Sequence, residues 1–146
     1  MATTLSGFAL SGEKACLFSI GNTRVYSLRS GKYLKLLTND DTTLNYLLAT
    51  GSISAEDAAT FERKNEITAC FGGGSPHLFK IKCRELSTPF SPFMITSDGI
   101  HDYISVDVME NILAENGVSA ATCKVMISAA RAAGSKDDVS IVLGEI

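Results

Sequence analysis

No run of apolar residues in this sequence approaches the ~20 that a membrane-spanning helix requires; Ser, Gly or a charge interrupts each stretch first. The start, Met1-Ala2-Thr3-Thr4, lacks a basic segment followed by an apolar one, so the expected location is the cytoplasm, with no membrane partner. Neither charge sign dominates: 13 Lys+Arg stand against 16 Asp+Glu, a net charge of -3 without runs. That excludes the electrostatic footprint of nucleic-acid binding. Cys16, Cys70, Cys83 and Cys123 form no Cys-x-x-Cys pair and sit in apolar or strand-like segments. They read as buried reduced thiols, not as a zinc site or disulfide frame. Gly72-Gly73-Gly74 lacks the Lys and following helix of a phosphate-binding loop and reads as a flexible loop. Neither a nucleophile elbow nor a His-Glu-x-x-His occurs, so His77 and His101 do not point to triad or zinc-protease catalysis. Such lone histidines read as surface or turn residues, with His101 near enough to Asp98 to lie beside a site.

What is present is a core-rich chain of 146 residues, 45% hydrophobic and 20% charged, which suits one domain. Leu5–Leu10, Ala15–Ile20, Arg24–Leu28 and Tyr33–Leu37 read as strands. The turn residues Ser11-Gly12-Glu13, Gly21-Asn22-Thr23 and Ser30-Gly31-Lys32 separate them, predicting a hairpin meander. Consecutive apolar residues, as in Ala15-Cys16-Leu17-Phe18, predict cover on both sheet faces. A short helix follows Asp41 or Thr42 and stops at Gly51; Ser54-Ala55-Glu56-Asp57 has capping-box spacing. His77–Leu86, Phe93–Thr96 and Val139–Leu143 read as strands, and Ser105 and Ser119 as caps of two amphipathic helices ending at Gly117 and Gly134. Segregated strands and helices make the class α+β.

Asp98 follows one of these strands and Asp137-Asp138 precede another. Each alone reads as a turn residue. If the two strands are antiparallel neighbours, the carboxylates meet at one sheet edge, where hard oxygen donors suit Mg²⁺ or Mn²⁺.

The order of the pieces then matters more than any one of them. Met1–Leu5, Ser19-Ile20-Gly21-Asn22-Thr23-Arg24-Val25-Tyr26, Leu37-Thr38-Asn39-Asp40-Asp41, Ile95-Thr96-Ser97-Asp98-Gly99-Ile100-His101-Asp102 and Gly134-Ser135-Lys136-Asp137-Asp138-Val139-Ser140-Ile141 together resemble the metal-dependent type-2C protein phosphatases, the PPM family. Gly51–Ala58 is similar to the helical flap of bacterial members. The resemblance implies an antiparallel β-sandwich between helical layers, α-β-β-α, here incomplete: residues 1–146 as a partial type-2C domain with 41–68 as a flap-like insertion. It implies a hydrolase acting on phosphoserine and phosphothreonine in phosphorylated proteins, through a water bridging two Mn²⁺ or Mg²⁺ ions. It implies Asp98 and Asp137 as metal ligands. Asp138, where the family has Asn, and Asn22, where its Gly-Asp-[Ser/Thr]-Arg motif has Asp, are auxiliary candidates. The family's Arg-x-x-Asn-Glu-Asp and Asp-Gly-[Met]-Gly-Gly-His elements lie upstream of the segment that Met1–Leu5 matches. The expectations are therefore a C-terminal part, inactive alone, that self-associates over an uncovered sheet. The alternative is a non-catalytic phosphatase-like binding or assembly module.

Overall fold

A computed structural model describes residues 2–12, 14–86 and 91–145. Met1 of the first motif and Glu13 of the first expected turn lie outside the described residues. In chain order the elements are β1 (Leu5–Ser11), β2 (Lys14–Ile20), β3 (Arg24–Arg29), β4 (Tyr33–Leu36), α1 (Thr43–Ala49), α2 (Ala55–Ala58), β5 (Ala69–Cys70), β6 (Gly73–Gly74), β7 (Lys82–Leu86), β8 (Phe93–Thr96), α3 (Asp98–His101), α4 (Val106–Asn116), α5 (Ala120–Ala132) and β9 (Ile141–Gly144). The class is α+β, as expected.

The strands divide into two main sheets, ordered β1-β2-β7 and β4-β3-β8-β9, with antiparallel pairing throughout both. This corrects the expected meander. Gly21-Asn22-Thr23 is no hairpin turn; it carries the chain from β2 in one sheet to β3 in the other. A Cβ at Gly21 would overlap the Thr4 side chain, and φ is +96° there, so glycine alone fits. The crossover is pinned by a reciprocal pair: Gly21 N donates to Asp41 Oδ2 at 2.9 Å and Asp41 N donates to Gly21 O at 2.9 Å. Because β2 leaves its sheet here, β7 finds a partner only from Lys82, opposite Ser19. Residues 77–81 of the expected strand stay outside the ladder, with Leu78 N closing a turn onto Ser75 O.

The two sheets stack face to face. Phe8 of β1 meets Phe93 of β8 edge to face, ring centroids 5.1 Å apart. Strand alternation then puts Tyr26, Leu28 and Met94 on the far side of the four-stranded sheet. There they form one buried cluster with Ile100, Ile104, Met109, Ile112, Leu113 and Met126 of α3, α4, α5 and their connections. Two-sided cover, expected for several of the strands, holds for β3, whose Val25, Tyr26, Ser27 and Leu28 are all buried. It fails for β1, where Leu5 and Leu10 are about half exposed. The molecule therefore has three layers, sheet on sheet on helix.

Caps fall where the sequence places them: Thr42, Ser54, Ser105 and Ser119 each accept from a backbone N–H of the first helical turn. The 41–68 excursion returns on itself through a bridge between Thr42 and Ile67 and a Thr68 N to Asp41 O bond of 2.8 Å. Gly73 and Gly74 are not a loop but the second strand of a small hairpin with Ala69–Cys70. The thiols also differ from expectation: Cys70 is buried, Cys16 and Cys123 are half-buried and Cys83 is exposed on the edge strand β7.

Candidate metal centre

β8 and β9 are antiparallel neighbours with Thr96 opposite Ile141, so the exit of one strand and the entrance of the other share a sheet edge. Asp98 stands just past that exit and Asp137 just before that entrance. Three bonds fasten the two segments: Ser97 N donates to Ser140 O (3.0 Å), Ser140 N to Ser97 Oγ (2.9 Å), and Ser97 Oγ to Asp138 O (3.2 Å). Gly99 makes the closeness possible, since a Cβ there would overlap the Asp138 carbonyl oxygen. Asp98, Asp137, Asp138 and Asn22 all line one open pocket of about 470 Å³, with Thr3, Thr4, Ile67 and Cys70 among its other walls.

The carboxylates are held by short local bonds. Gly99 N donates to Asp98 Oδ1 at 2.9 Å, and Asp138 N donates to Asp137 Oδ1 at 2.8 Å. The second Asp98 oxygen, Oδ2, accepts from Asn22 Nδ2 at 2.9 Å, a contact across 76 residues of chain. Asn22 is buried, whereas Asp137 and Asp138 are exposed at the rim. Four of the five quoted motifs thus reach one pocket, and Leu37–Asp41 does not line it.

Beside the pocket lies a polar group that sequence reading did not identify. Arg24 clamps Asp40 with Nε at 3.0 Å and Nη2 at 2.7 Å from Oδ2. Burial disfavours the guanidinium charge, but the hydrogen bond and charge of Asp40, then Tyr26, outweigh it, and the net effect holds Arg24 above its ordinary pKa. Burial likewise raises the Tyr26 phenol, partly offset by Arg24. His101 is no surface residue: it is 9% exposed, and its Nδ1 shares a 2.8 Å hydrogen bond with Thr96 Oγ1. Burial, aided by the positive charge of Arg24, brings its pKa down to about 3. Walled in this way, the imidazole stays neutral near neutral pH. Asp102, held by Asn65 Nδ2 at 2.9 Å, is pushed up chiefly by burial. His77 lies in an exposed turn. The only local hint of the Arg24–Asp40 pair was its place inside two of the quoted motifs.

Asp98 and Asp137 offer hard oxygen donors of the kind Mg²⁺ and Mn²⁺ take, and such ions are commonly bound by one or two carboxylates with water and phosphate completing the shell. The donor set fits that mode. It does not make a closed cage: among the described residues no three His, Cys, Asp or Glu side chains are grouped to hold a metal ion.

No protein-family model matches the chain. A Streptococcus pyogenes protein assigned to the protein phosphatase 2C type is 33% identical over 143 residues, covering 98% of this chain and 57% of the relative. The crystal structure of the Mycobacterium tuberculosis serine/threonine phosphatase PstP/Ppp superposes with a TM-score of 0.83 at 27% identity, covering 99% of this chain and 60% of that one. The PstP catalytic domain in complex with two manganese ions matches with a TM-score of 0.74 at 26% identity, covering 99% and 58%. The chain thus spans a little under three fifths of the curated relative's length. Similarity to type-2C serine/threonine phosphatases runs its full length, and its three layers match part of their fold.

Proposed function

We propose that this chain is the C-terminal part of a metal-dependent protein serine/threonine phosphatase, acting on phosphoserine and phosphothreonine in proteins, and that Asp98 and Asp137 are its share of the metal ligands. The observation that carries the reading is the shared pocket: two carboxylates 39 positions apart in number, Asp98 and Asp137, brought to one sheet edge by the Ser97–Ser140 fastening. Residues 1–146 serve as one partial domain, with 41–68 as a flap beside the pocket that Ile67 helps to line.

When bound, divalent cations in such a site polarise a phosphoryl oxygen and acidify water. The chain's own residues bind and orient. Asp98 and Asp137 supply negative charge where a cation is needed, Gly99 N and Asp138 N fix one oxygen of each, and Asp138 adds charge at the rim. Arg24 is engaged with Asp40 and braces the strand that follows Asn22. Two carboxylates balance too little of the charge of two divalent cations to position them well, so hydrolysis of an aryl phosphate by this chain alone in millimolar Mn²⁺ stays at background.

Calorimetric titration with Mn²⁺ tests the assignment. Binding is expected to be weak in the unaltered chain and to be lost in Asp98→Asn and Asp137→Asn, with unchanged circular dichroism. Equal Mn²⁺ binding by all three proteins would overturn it. Strong, chelator-sensitive hydrolysis by the chain alone would instead show that the two-carboxylate account is wrong. The second reading, a phosphatase-like assembly module without turnover, is supported by the small ligand set; it predicts no hydrolysis even after the missing length of a relative such as PstP is supplied in a chimera.

A further inference from the structure

The amide of Asn22 occupies a position that an acidic side chain could not fill in the same way. It is 7% exposed and donates through Nδ2 to Asp98 Oδ2 at 2.9 Å. Its backbone cannot drift: the preceding Gly21 exchanges bonds with Asp41, the following Thr23 Oγ1 lies 2.7 Å from Thr4 Oγ1, and Arg24 is clamped to Asp40. A carboxylate of the same shape only accepts hydrogen bonds. In this place it would set acceptor against acceptor across about 3 Å, an arrangement relieved by a proton or a cation between them. The residue at position 22 therefore decides what holds the inner oxygen of Asp98.

We propose that Asn22 is a positioning residue that fixes Asp98 with an N–H in place of a cation, so that this inner edge of the pocket is kept in order without metal and takes none. Cation binding is left to Asp98 Oδ1 with the exposed Asp137 and Asp138. The cation half of this statement rests on the phosphatase reading above; the positioning half does not.

Thermal unfolding of the full 146-residue chain, in EDTA and in Mn²⁺, tests both halves. In EDTA, Asn22→Asp is expected to melt about 5 °C below the unaltered protein. The double variant Asn22→Asp/Asp98→Asn, which reverses the amide and carboxylate, recovers most of that loss. A merely space-filling role for Asn22 would show no such recovery, and its absence overturns the positioning role. So does an Asn22→Asp protein as stable as the original. Saturating Mn²⁺ is expected to raise the melting temperature of Asn22→Asp more than that of the unaltered chain, and calorimetry to count one additional Mn²⁺. Equal shifts and equal stoichiometry overturn the cation half. If Asn22→Asp does not fold, Asn22→Ala replaces it: loss of the bond without added charge is expected to weaken Mn²⁺ binding about threefold or more, and unchanged affinity counts against the proposal. If the unaltered chain binds no Mn²⁺ and Asp98→Asn changes nothing, the metal reading fails, while recovery in the double variant still upholds the positioning role.

Discussion

His101 sits three residues beyond Asp98, yet its ring points into the core, not the pocket, and that difference has a measurable sign. Its folded pKa, about 3, lies below the ordinary 6.5. Between those values the unfolded chain binds a proton that the folded one refuses, so stability is complete above about pH 6.5 and drains away as the pH falls. The expected slope approaches ~1.4 kcal/mol per pH unit for this one group. His101→Asn keeps a polar partner for Thr96 Oγ1 and removes the titration. Urea unfolding between about pH 7 and pH 4 should show a shallower decline in the variant, and parallel declines would refute the assignment. The sequence held no sign of this burial. A histidine near an aspartate reads as a site residue or a turn residue, and only the packing of α3 against the four-stranded sheet makes it neither.

The joint between α3 and β9 depends on the missing side chain of Gly99, whose α-hydrogen faces the Asp138 carbonyl. Gly99→Ala forces that carbonyl or the helix to move. The cost expected from overpacking is ~1–3 kcal/mol, read as a lower midpoint in urea, and an unchanged midpoint would show that the joint is softer than its geometry. What was legible at this scale was what is local. Thr42, Ser54, Ser105 and Ser119 announce helices because a cap and its partner N–H lie within three residues. Phe93–Thr96 was legible end to end because Pro92 precedes it and Ser97-Asp98-Gly99 follow it. Gly21-Asn22-Thr23 was misread because a sheet crossover and a hairpin turn draw on the same residue types. The choice between them is made by Thr96 pairing with Arg24, 72 positions away in number, which no local pattern contains. The edge status of β7, which exposes Cys83, is non-local in the same way.

The three-layer molecule leaves one side of the β1-β2-β7 sheet without a helical cover among the described residues. Register places Gly7, Phe18 and Cys83 on that side, opposite the face carrying Phe8, with Leu5 beside them and 47% exposed. Self-association over this face is the outcome expected from the sequence. Sedimentation velocity at tens of micromolar is expected to show a dimer that Leu5→Glu returns to monomer, because burying a carboxylate on an apolar face is costly. A monomer at every concentration would exclude the idea. No helix of the described residues is long and apolar enough to cross a membrane.

The fastening of Ser97 to Ser140 also ties a knot in the energetics. Those two serines are 43 residues apart, and α3, α4 and α5 are strung between them like beads on a drawn purse-string. A cation held by Asp98 and Asp137, the ligands proposed above, would draw the string tighter, and fraying of the helices would slacken it. Ion occupancy and protection of the α4 and α5 amides from deuterium should therefore climb and fall as a single quantity, although neither helix carries a proposed ligand.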